Sequence, residues 1–327
     1  MIKNLPVVSV LIATFNSEKY IEAALNSVFS QSYDNFEIIL VDDGSTDNTR
    51  EIVSRYKDSR LRCFWEKHTS IPVVRNKLLF EARGEFLTFL DGDDIYFPEK
   101  IAKEKEFLEK RKEFAAVYCD IIYFYDNDSS KFYKHSFKHY SGNIFEPLLQ
   151  NQFITNSAFM MRRGVIDKVG FYDVNEIVED WRYFIKMAKN GLLVGFINEN
   201  LVKFRIHIDN HTNFARQFLI QSSTVRLFQD IYAKMDQIQR NKYGMKKILF
   251  KRKFRLSLIC IGDNRLKEII NLWKESREFF VIRYLMIFLF LLCFIIPAPL
   301  RRRFMEFLWN TNKKRKFILI DKNDDAE

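Results

Sequence analysis

The first hundred residues alternate between two hydrophobic periods. Runs that are apolar at nearly every position, "VVSVLIA" (7–13), "FEIILVDD" (36–43), "LRCFW" (61–65) and "EFLTFL" (85–90), predict strands covered on both faces. Between them the apolar positions recur at helical spacing. "SEKYIEAALNSVFSQ" (17–31) places Tyr20, Ile21, Ala24, Leu25 and Val28 on one face, with Ser17 as its expected N-cap. "STDNTREIVSRY" (45–56), "SIPVVRNKLLFEA" (70–82), with Pro72 in its first turn, and "PEKIAKEKEFLEKRK" (98–112) read as further helices. Strands alternating with helices predict an α/β fold around a mostly parallel sheet.

Beyond residue 113 the pattern changes. "AAVYCDIIYFY" and "KFYKHSF" flank Asp126, Asn127, Asp128, Ser129 and Ser130 and predict a hairpin with a solvated polar turn. Residues 154–162 read as a strand, and "VEDWRYFIKMAKNG" (178–191) as a helix closed by Gly191. "LLVGFI" and "LVKFRIHI" read as a final pair of strands. After Asn213 the chain turns basic and helical, which divides it into regions 1–213 and 214–327.

The polar signals fall where the predicted strands end. Thr14, Phe15 and Asn16 follow the first; Asp42, Asp43, Gly44 and Ser45 the second; Asp91, Gly92, Asp93 and Asp94 the fourth. Loops at the carboxyl ends of parallel strands share one crevice, where α/β sheets bind ligands. Acids crowded there repel one another unless a cation joins them. Mg²⁺ and Mn²⁺ take oxygen ligands, commonly one or two carboxylates together with substrate phosphates. The competing reading is that these acids favour a helix N-terminus. Asp126-Asn127-Asp128 repeats the Asp-x-Asp spacing and serves as an internal control.

The ordered motifs "VSVLIATFNSEKYIEAALNSVFSQSYDNFEIILVDDGSTDNT" and "RNKLLFEARGEFLTFLDGDDIYFP" resemble the family 2 glycosyltransferases over about residues 7–213. The resemblance implies a GT-A fold and an inverting enzyme that draws on a nucleotide-sugar donor with Mg²⁺ or Mn²⁺. It implies that Ala13, Thr14 and Phe15 form the first nucleotide-contacting loop, that Asp43 bonds the base, and that Arg75 lies near the nucleotide. It gives Asp91 and Asp93 to the metal and diphosphate, with Asp94 adjacent. "VEDW" (178–181) resembles the family's Glu-Asp motif, so Asp180 is the implied catalytic base. His207, in "FRIHIDNH", resembles a position near the donor phosphates. The alternative there, zinc held by His207 and His211, needs a helix where the pattern shows a strand end. Trp181 is expected in the core or as a wall against sugar. The first loop reads Ala-Thr-Phe-Asn where the family more often has a tyrosine, so Phe15 contacts only by stacking. No Gln-x-x-Arg-Trp motif follows Asp180, which favours transfer of one sugar at a time over processive synthesis. Two rivals are a nucleotidyltransferase, which should carry a Gly-rich loop after the first strand, and an inactive membrane-bound scaffold.

Charge separates the two regions. From Arg216 onward there are 24 Lys and Arg against 11 Asp and Glu; before it there are 28 against 31. A basic tail predicts an anionic partner. Residues 281–300 are strongly apolar and flanked by Lys and Arg on both sides, the pattern of an in-plane or re-entrant membrane segment. A helix packed on the first region is the alternative. The expected partners are therefore a nucleotide-sugar donor, a glycan or lipid-linked acceptor and a membrane surface, with no nucleic acid. Four scattered cysteines, none in a Cys-x-x-Cys pair, fit a reducing cytoplasm, and the expected location is the cytoplasmic face of the cell membrane.

Overall fold

The structure is a computed structural model that describes residues 6–135, 138–207, 216–262, 265–275, 300 and 317–320. The apolar segment 281–300, apart from residue 300, and His211 lie outside these residues. The chain divides into two compact units, Met1–His207 with Ile318–Glu327, and Ile208–Phe317.

The first unit is built on a sheet whose central strands are apolar at nearly every position. β1 (Val8–Thr14), β2 (Phe36–Asp42) and β4 (Phe86–Asp91) are almost wholly enclosed, and β3 (Leu61–Trp65) forms the edge beside β2. These four run parallel, as the unbroken apolar runs predict. The helices α1 (Ile21–Phe29), α2 (Thr49–Ser54), α3 (Ile71–Glu81) and α4 (Lys100–Lys110) connect or follow them. Pro72 stands in the first turn of α3. Ser17 does not cap α1: the helix starts at Ile21, and the Ser17 carbonyl instead accepts from the Tyr20 and Ile21 amides.

Past β4 the sheet becomes mixed. β5 (Ile95–Tyr96) is short; β6 (Phe114–Tyr125) and β7 (Asp128–His135) form the hairpin. Helix α5 (Phe145–Gln150) precedes β8 (Phe159–Arg162), which lies antiparallel between β4 and β6. Of the strand expected over 154–162, residues 156–158 form a 3-10 turn instead. Helices α6 (Val165–Val169) and α7 (Glu179–Lys189) follow, and Gly191, just past α7, has a φ of 75°. The expected final strand pair is one long strand, β9 (Leu193–Ile206), parallel to β6. The polar break in its sequence is a bulge. Ile197 pairs with Cys119 and Asn200 with Asp120, leaving Asn198 and Glu199 exposed between them.

The second unit contains α8 (Gln217–Ala233), α9 (Gln237–Lys242), α10 (Met245–Gly262) and α11 (Leu266–Glu275). Asp236 and Gln239 cap α9 reciprocally. α10 packs against α8 and α11 and carries six Lys and Arg with no acid. Among the described residues no helix is long and apolar enough to cross a membrane. The sheet of the first unit is extended beside β7 by β10 (Phe317–Ile320).

Candidate active site

Register brings the carboxyl-end loops together. Ala13 pairs with Asp91 and Thr14 with Asp42; the Asp43 amide donates to the Thr14 carbonyl at 2.9 Å, and the Gly92 amide to the Ala13 carbonyl at 3.1 Å. Gly92 permits this close approach, since a Cβ there would lie 3.0 Å from Thr14 Oγ1. That hydroxyl is buried with no hydrogen-bond partner among the described residues. Asn16 holds a left-handed backbone at φ 48°, fixed by the Asn16 amide donating to Ser45 Oγ and by Asn16 Oδ1 accepting from the Thr46 amide, both at 2.8 Å.

At the base end of the crevice Asp43 is buried. Its Oδ1 accepts from the Thr69 amide and hydroxyl at 2.8 and 2.9 Å, and its Oδ2 lies 3.0 Å from His68 Nδ1. The Phe15 ring stacks on His68 with 4.4 Å between centroids. An open cleft of about 720 Å³ adjoins this cluster, lined by Trp65, Arg50, Lys67, His68 and Thr69 among others. It opens at the ends of β2 and β3, to one side of the acids. Sequence reasoning missed His68 and Thr69. Their signal was available, for the loop after β3 is the one carboxyl-end loop left unconsidered.

The acids gather at the end of β4. Asp94 is buried; its carboxylate accepts from Ser157 Oγ at 2.6 Å and from the Arg205 amide at 3.1 Å. Burial first, then Asp93 and Asp91, push its carboxyl well above the ordinary range. Asp91 is also raised, by burial, with Arg75 opposing and Asp93 adding to the rise. Asp93 Oδ2 lies 2.9 Å from His207 Nε2, so the residue after β9 meets the loop after β4 across 114 positions of sequence. Among the described residues no three His, Cys, Asp or Glu converge closely enough to hold a metal ion by themselves.

Arg75, expected near the nucleotide, lies beside the acidic loop. It is enclosed, paired with Glu179 by a short contact and with Asp91 Oδ1 at 3.3 Å. Asn156, in the orientation these donors demand, accepts from both terminal guanidinium nitrogens at 2.8 and 3.0 Å. Arg75 thus joins the acidic loop to the start of α7. Burial drives the Glu179 carboxyl up to about 8 against the attraction of Arg75. Asp180, next along, accepts from Gln152 Nε2 at 2.7 Å and from the Trp181 amide at 2.6 Å. Burial raises its carboxyl too, and Arg75 opposes the rise. Trp181 is core: its indole is buried and donates to the Leu148 carbonyl at 2.9 Å.

The turn expected to be solvated is exposed at Asp126 and Asn127. Asp128 pairs with Lys131 at 2.6 Å, and Asp126 accepts from Tyr20 and pairs with Arg205.

Comparison with known proteins agrees with this fold. The family model described as "Glycosyl transferase family 2" matches residues 9–170. A UDP-Glc:alpha-D-GlcNAc-diphosphoundecaprenol beta-1,3-glucosyltransferase, WfaP of Escherichia coli, is 40% identical over 108 residues, covering 33% of this chain and 43% of that protein. The chain spans 29–43% of the length of several curated relatives it matches. The S. aureus TarS 1–349 structure in complex with UDP-GlcNAc has a TM-score of 0.58 at 19% identity, covering 76% of this chain and 72% of that one. The mannosyltransferase PcManGT from Pyrobaculum calidifontis, solved in complex with GDP-Man and Mn²⁺, has a TM-score of 0.58 at 16% identity, covering 92% and 88%. With acids at the ends of β2 and β4, a Glu-Asp pair at the start of α7 and this shared GT-A fold, the chain belongs to glycosyltransferase family 2.

Proposed function

We propose that the protein moves a single sugar from a nucleoside-diphosphate sugar to a hydroxyl of a glycan or lipid-linked acceptor, inverting the anomeric carbon, in cell-surface polysaccharide synthesis. The observation that carries this reading is the joining of the Asp91–Asp94 loop to the Glu179–Asp180 helix start through one buried guanidinium, Arg75. Donor and acceptor machinery thereby share a single rigid frame.

Asp93 and His207, with Asp91, present the oxygen and nitrogen donors that Mg²⁺ or Mn²⁺ accepts, and a substrate diphosphate would complete the set. The surplus of carboxylates and the raised carboxyls of Asp91 and Asp94 support the fit. When bound, the cation neutralises charge that develops on the departing diphosphate. Thr14 and Phe15 border the nucleoside, and Asp43 holds the His68–Thr69 loop against Phe15.

Asp180 accepts the proton of the acceptor hydroxyl as that oxygen attacks the anomeric carbon. The carbon's bond to the donor phosphate oxygen breaks on the opposite face, and its electron pair leaves with the nucleoside diphosphate. Gln152 and the Trp181 amide fix the direction of the carboxylate, while partial burial strengthens it as a base.

The basic second unit and its acid-free α10 support attachment to an anionic membrane on its cytoplasmic face. WfaP, named for a diphosphoundecaprenol-linked acceptor, makes a lipid-linked substrate the favoured class. The test is to incubate purified protein and Mn²⁺ with UDP-, GDP- and dTDP-sugars. Release of one nucleoside diphosphate, with NMR of the product showing the inverted anomer, is expected. Absence of release from all three classes would overturn the proposal.

A further inference from the structure

The loop after β3 carries an imidazole whose orientation is fixed from three sides. Gly44, with φ of 77°, lets the His68 backbone close on the loop after β2, since a Cβ there would lie 2.6 Å from the His68 nitrogen. The Glu66 amide donates to the Asp42 carbonyl at 2.9 Å and pins the same loop. The Phe15 ring, stacked on His68 with 22° between their planes, sets the plane of the imidazole. Asp43 sets its rotation: His68 Nδ1 lies 3.1 Å from the Asp43 carbonyl oxygen and 3.0 Å from Asp43 Oδ2.

Those contacts decide the tautomer. A carbonyl oxygen only accepts, so Nδ1 carries the hydrogen and donates it to Asp43. In the neutral ring Nε2 then holds a lone pair directed away from Asp43. No side chain or backbone group among the described residues bonds Nε2, and the His68 side chain is 60% exposed and lines the open cleft at the ends of β2 and β3. The Asp43 side chain, by contrast, is 4% exposed, and its carboxylate already accepts from the Thr69 amide and hydroxyl and faces His68 Nδ1. The imidazole faces the cleft, and the acid stands behind it.

Position agrees with this chemistry. β2 and β4 flank β1, and neighbouring strands lie about 4.8 Å apart, so the ends of β2 and β4 are separated by about 10 Å. A nucleoside diphosphate covers such a distance between its base and its second phosphate, which would leave the base at the cleft and the phosphates at the Asp91–Asp94 loop.

We propose that His68 reads the base of the donor nucleotide: its Nε2 accepts the ring N–H of uracil, thymine or guanine, and Asp43 acts through it as a positioning residue. The proposal rests on the reading of the protein as a nucleotide-sugar transferase. Uracil and thymine at N3, and guanine at N1, present a hydrogen to Nε2. Cytosine at N3 and adenine at N1 present a lone pair, which Nε2 repels.

The test measures the affinities of UDP, GDP, dTDP, CDP and ADP by calorimetry, each with Mn²⁺. The native chain is expected to bind at least one of the first three about tenfold or more tightly than CDP and ADP, the scale of one hydrogen bond made or denied. His68→Phe keeps a ring on Phe15 but removes the nitrogen. It should weaken the preferred nucleotide about tenfold while changing CDP, ADP and inorganic pyrophosphate less than about twofold. His68→Gln supplies an accepting amide oxygen and should bring the preferred nucleotide back to within about threefold of native. Asp43→Asn should lose the same preference, and adding it to His68→Phe should cost less than about twofold more. Equal native affinity for all five nucleotides overturns the proposal, and so does a His68→Phe protein that keeps the native preference. A His68→Phe protein that loses pyrophosphate as strongly as nucleotide also overturns it, because that is the mark of a structural role alone. A native chain that binds none of the five is a different result: the transferase reading itself fails, and this inference with it.

Discussion

Arg75 and Lys100 are the two buried cations of the first unit among the described residues, and their surroundings differ in one respect. Lys100 meets a single anion. Its Nζ donates to Glu104 at 2.6 Å and to Thr88 Oγ1 at 2.8 Å, and it lies 4.2 Å from the Tyr96 ring centre. Arg75 meets Glu179 and Asp91 directly, has Asp180 nearby, and stands one loop from Asp93 and Asp94. The first cluster is charge-balanced and closed. The second is short of positive charge and opens at the strand ends. A buried charge is tolerated when it is paired, and a surplus persists where something from outside supplies the missing charge. Balance marks the Lys100 pair as structure; imbalance is the ground on which the Arg75 cluster is proposed as a site.

The contrast can be broken from the active-site side first. Asp180→Asn should lower kcat by about 10²–10⁴-fold, the range for loss of a general base, with donor affinity nearly intact. Steady-state kinetics with a fluorimetric donor-binding assay checks this. Equal losses in both would make Asp180 a structural helix-start residue.

The core pair should respond through stability alone. Lys100→Met strands the Glu104 carboxylate and should cost about 3–5 kcal/mol in urea unfolding, whereas Lys100→Met with Glu104→Leu should return close to the native value. One Glu104 oxygen already lacks a hydrogen-bond partner, so the native pair is not optimised. A double variant as unstable as the single one would show that the ionic contact itself is required.

How far the sequence discloses these two clusters depends on distance along the chain. β1, β2 and β4 are legible because strands covered on both faces need unbroken apolar runs, and their polar ends locate Asp43, Asp91 and Asp93. Arg75 belongs to an evident helix, yet its partner Glu179 lies 104 positions away, and no local pattern reports such a contact. Asp126 looks like an ordinary turn residue because Asn, Asp and Ser are favoured in turns for local reasons, while its partners are 79 and 106 positions distant. β9 appears as two strands because the exposed Asn198 and Glu199 interrupt its alternation at a bulge. Lys100 and Glu104, at i and i+4 in a charged helix, resemble a solvated surface pair; only packing against Thr88 and Tyr96 shows them to be core.

pH separates the clusters with smaller effects of different kinds. The Asp180 carboxyl is raised by burial, and a base must be deprotonated to act. Activity should therefore be full above its folded pKa and fall as pH drops through it, with the acid limb of kcat above the ordinary Asp value of 3.8. Glu104 is raised from 4.5 to about 7 by burial. Between those values the unfolded chain releases its proton first, so this group makes stability fall as pH rises. Glu104→Gln should flatten that slope in unfolding titrations between pH 4.5 and 7. An unchanged slope would assign the dependence to other groups.

The smallest effect expected is at the surface of the second unit. Full-length protein should co-sediment with anionic phospholipid vesicles and less with neutral ones. Each Lys or Arg near the surface adds about 1 kcal/mol, and added salt should release part of the bound protein. Equal binding to both vesicle types would remove the electrostatic role given to α10.

The central claim is that the unbalanced acids at the strand ends take a divalent cation together with a nucleoside diphosphate. Thermal unfolding with UDP or GDP, with and without Mn²⁺, tests it most directly. At ligand concentrations about a hundredfold above the dissociation constant, binding stabilises by about 2.7 kcal/mol. At about 2–4 °C per kcal/mol this is a shift of about 5–10 °C. The account predicts that shift for the native chain only when nucleotide and Mn²⁺ are present together, and its loss in Asp93→Asn. Native protein whose melting point is unmoved by both nucleotides with Mn²⁺, or an Asp93→Asn protein that shifts as the native one does, would contradict it.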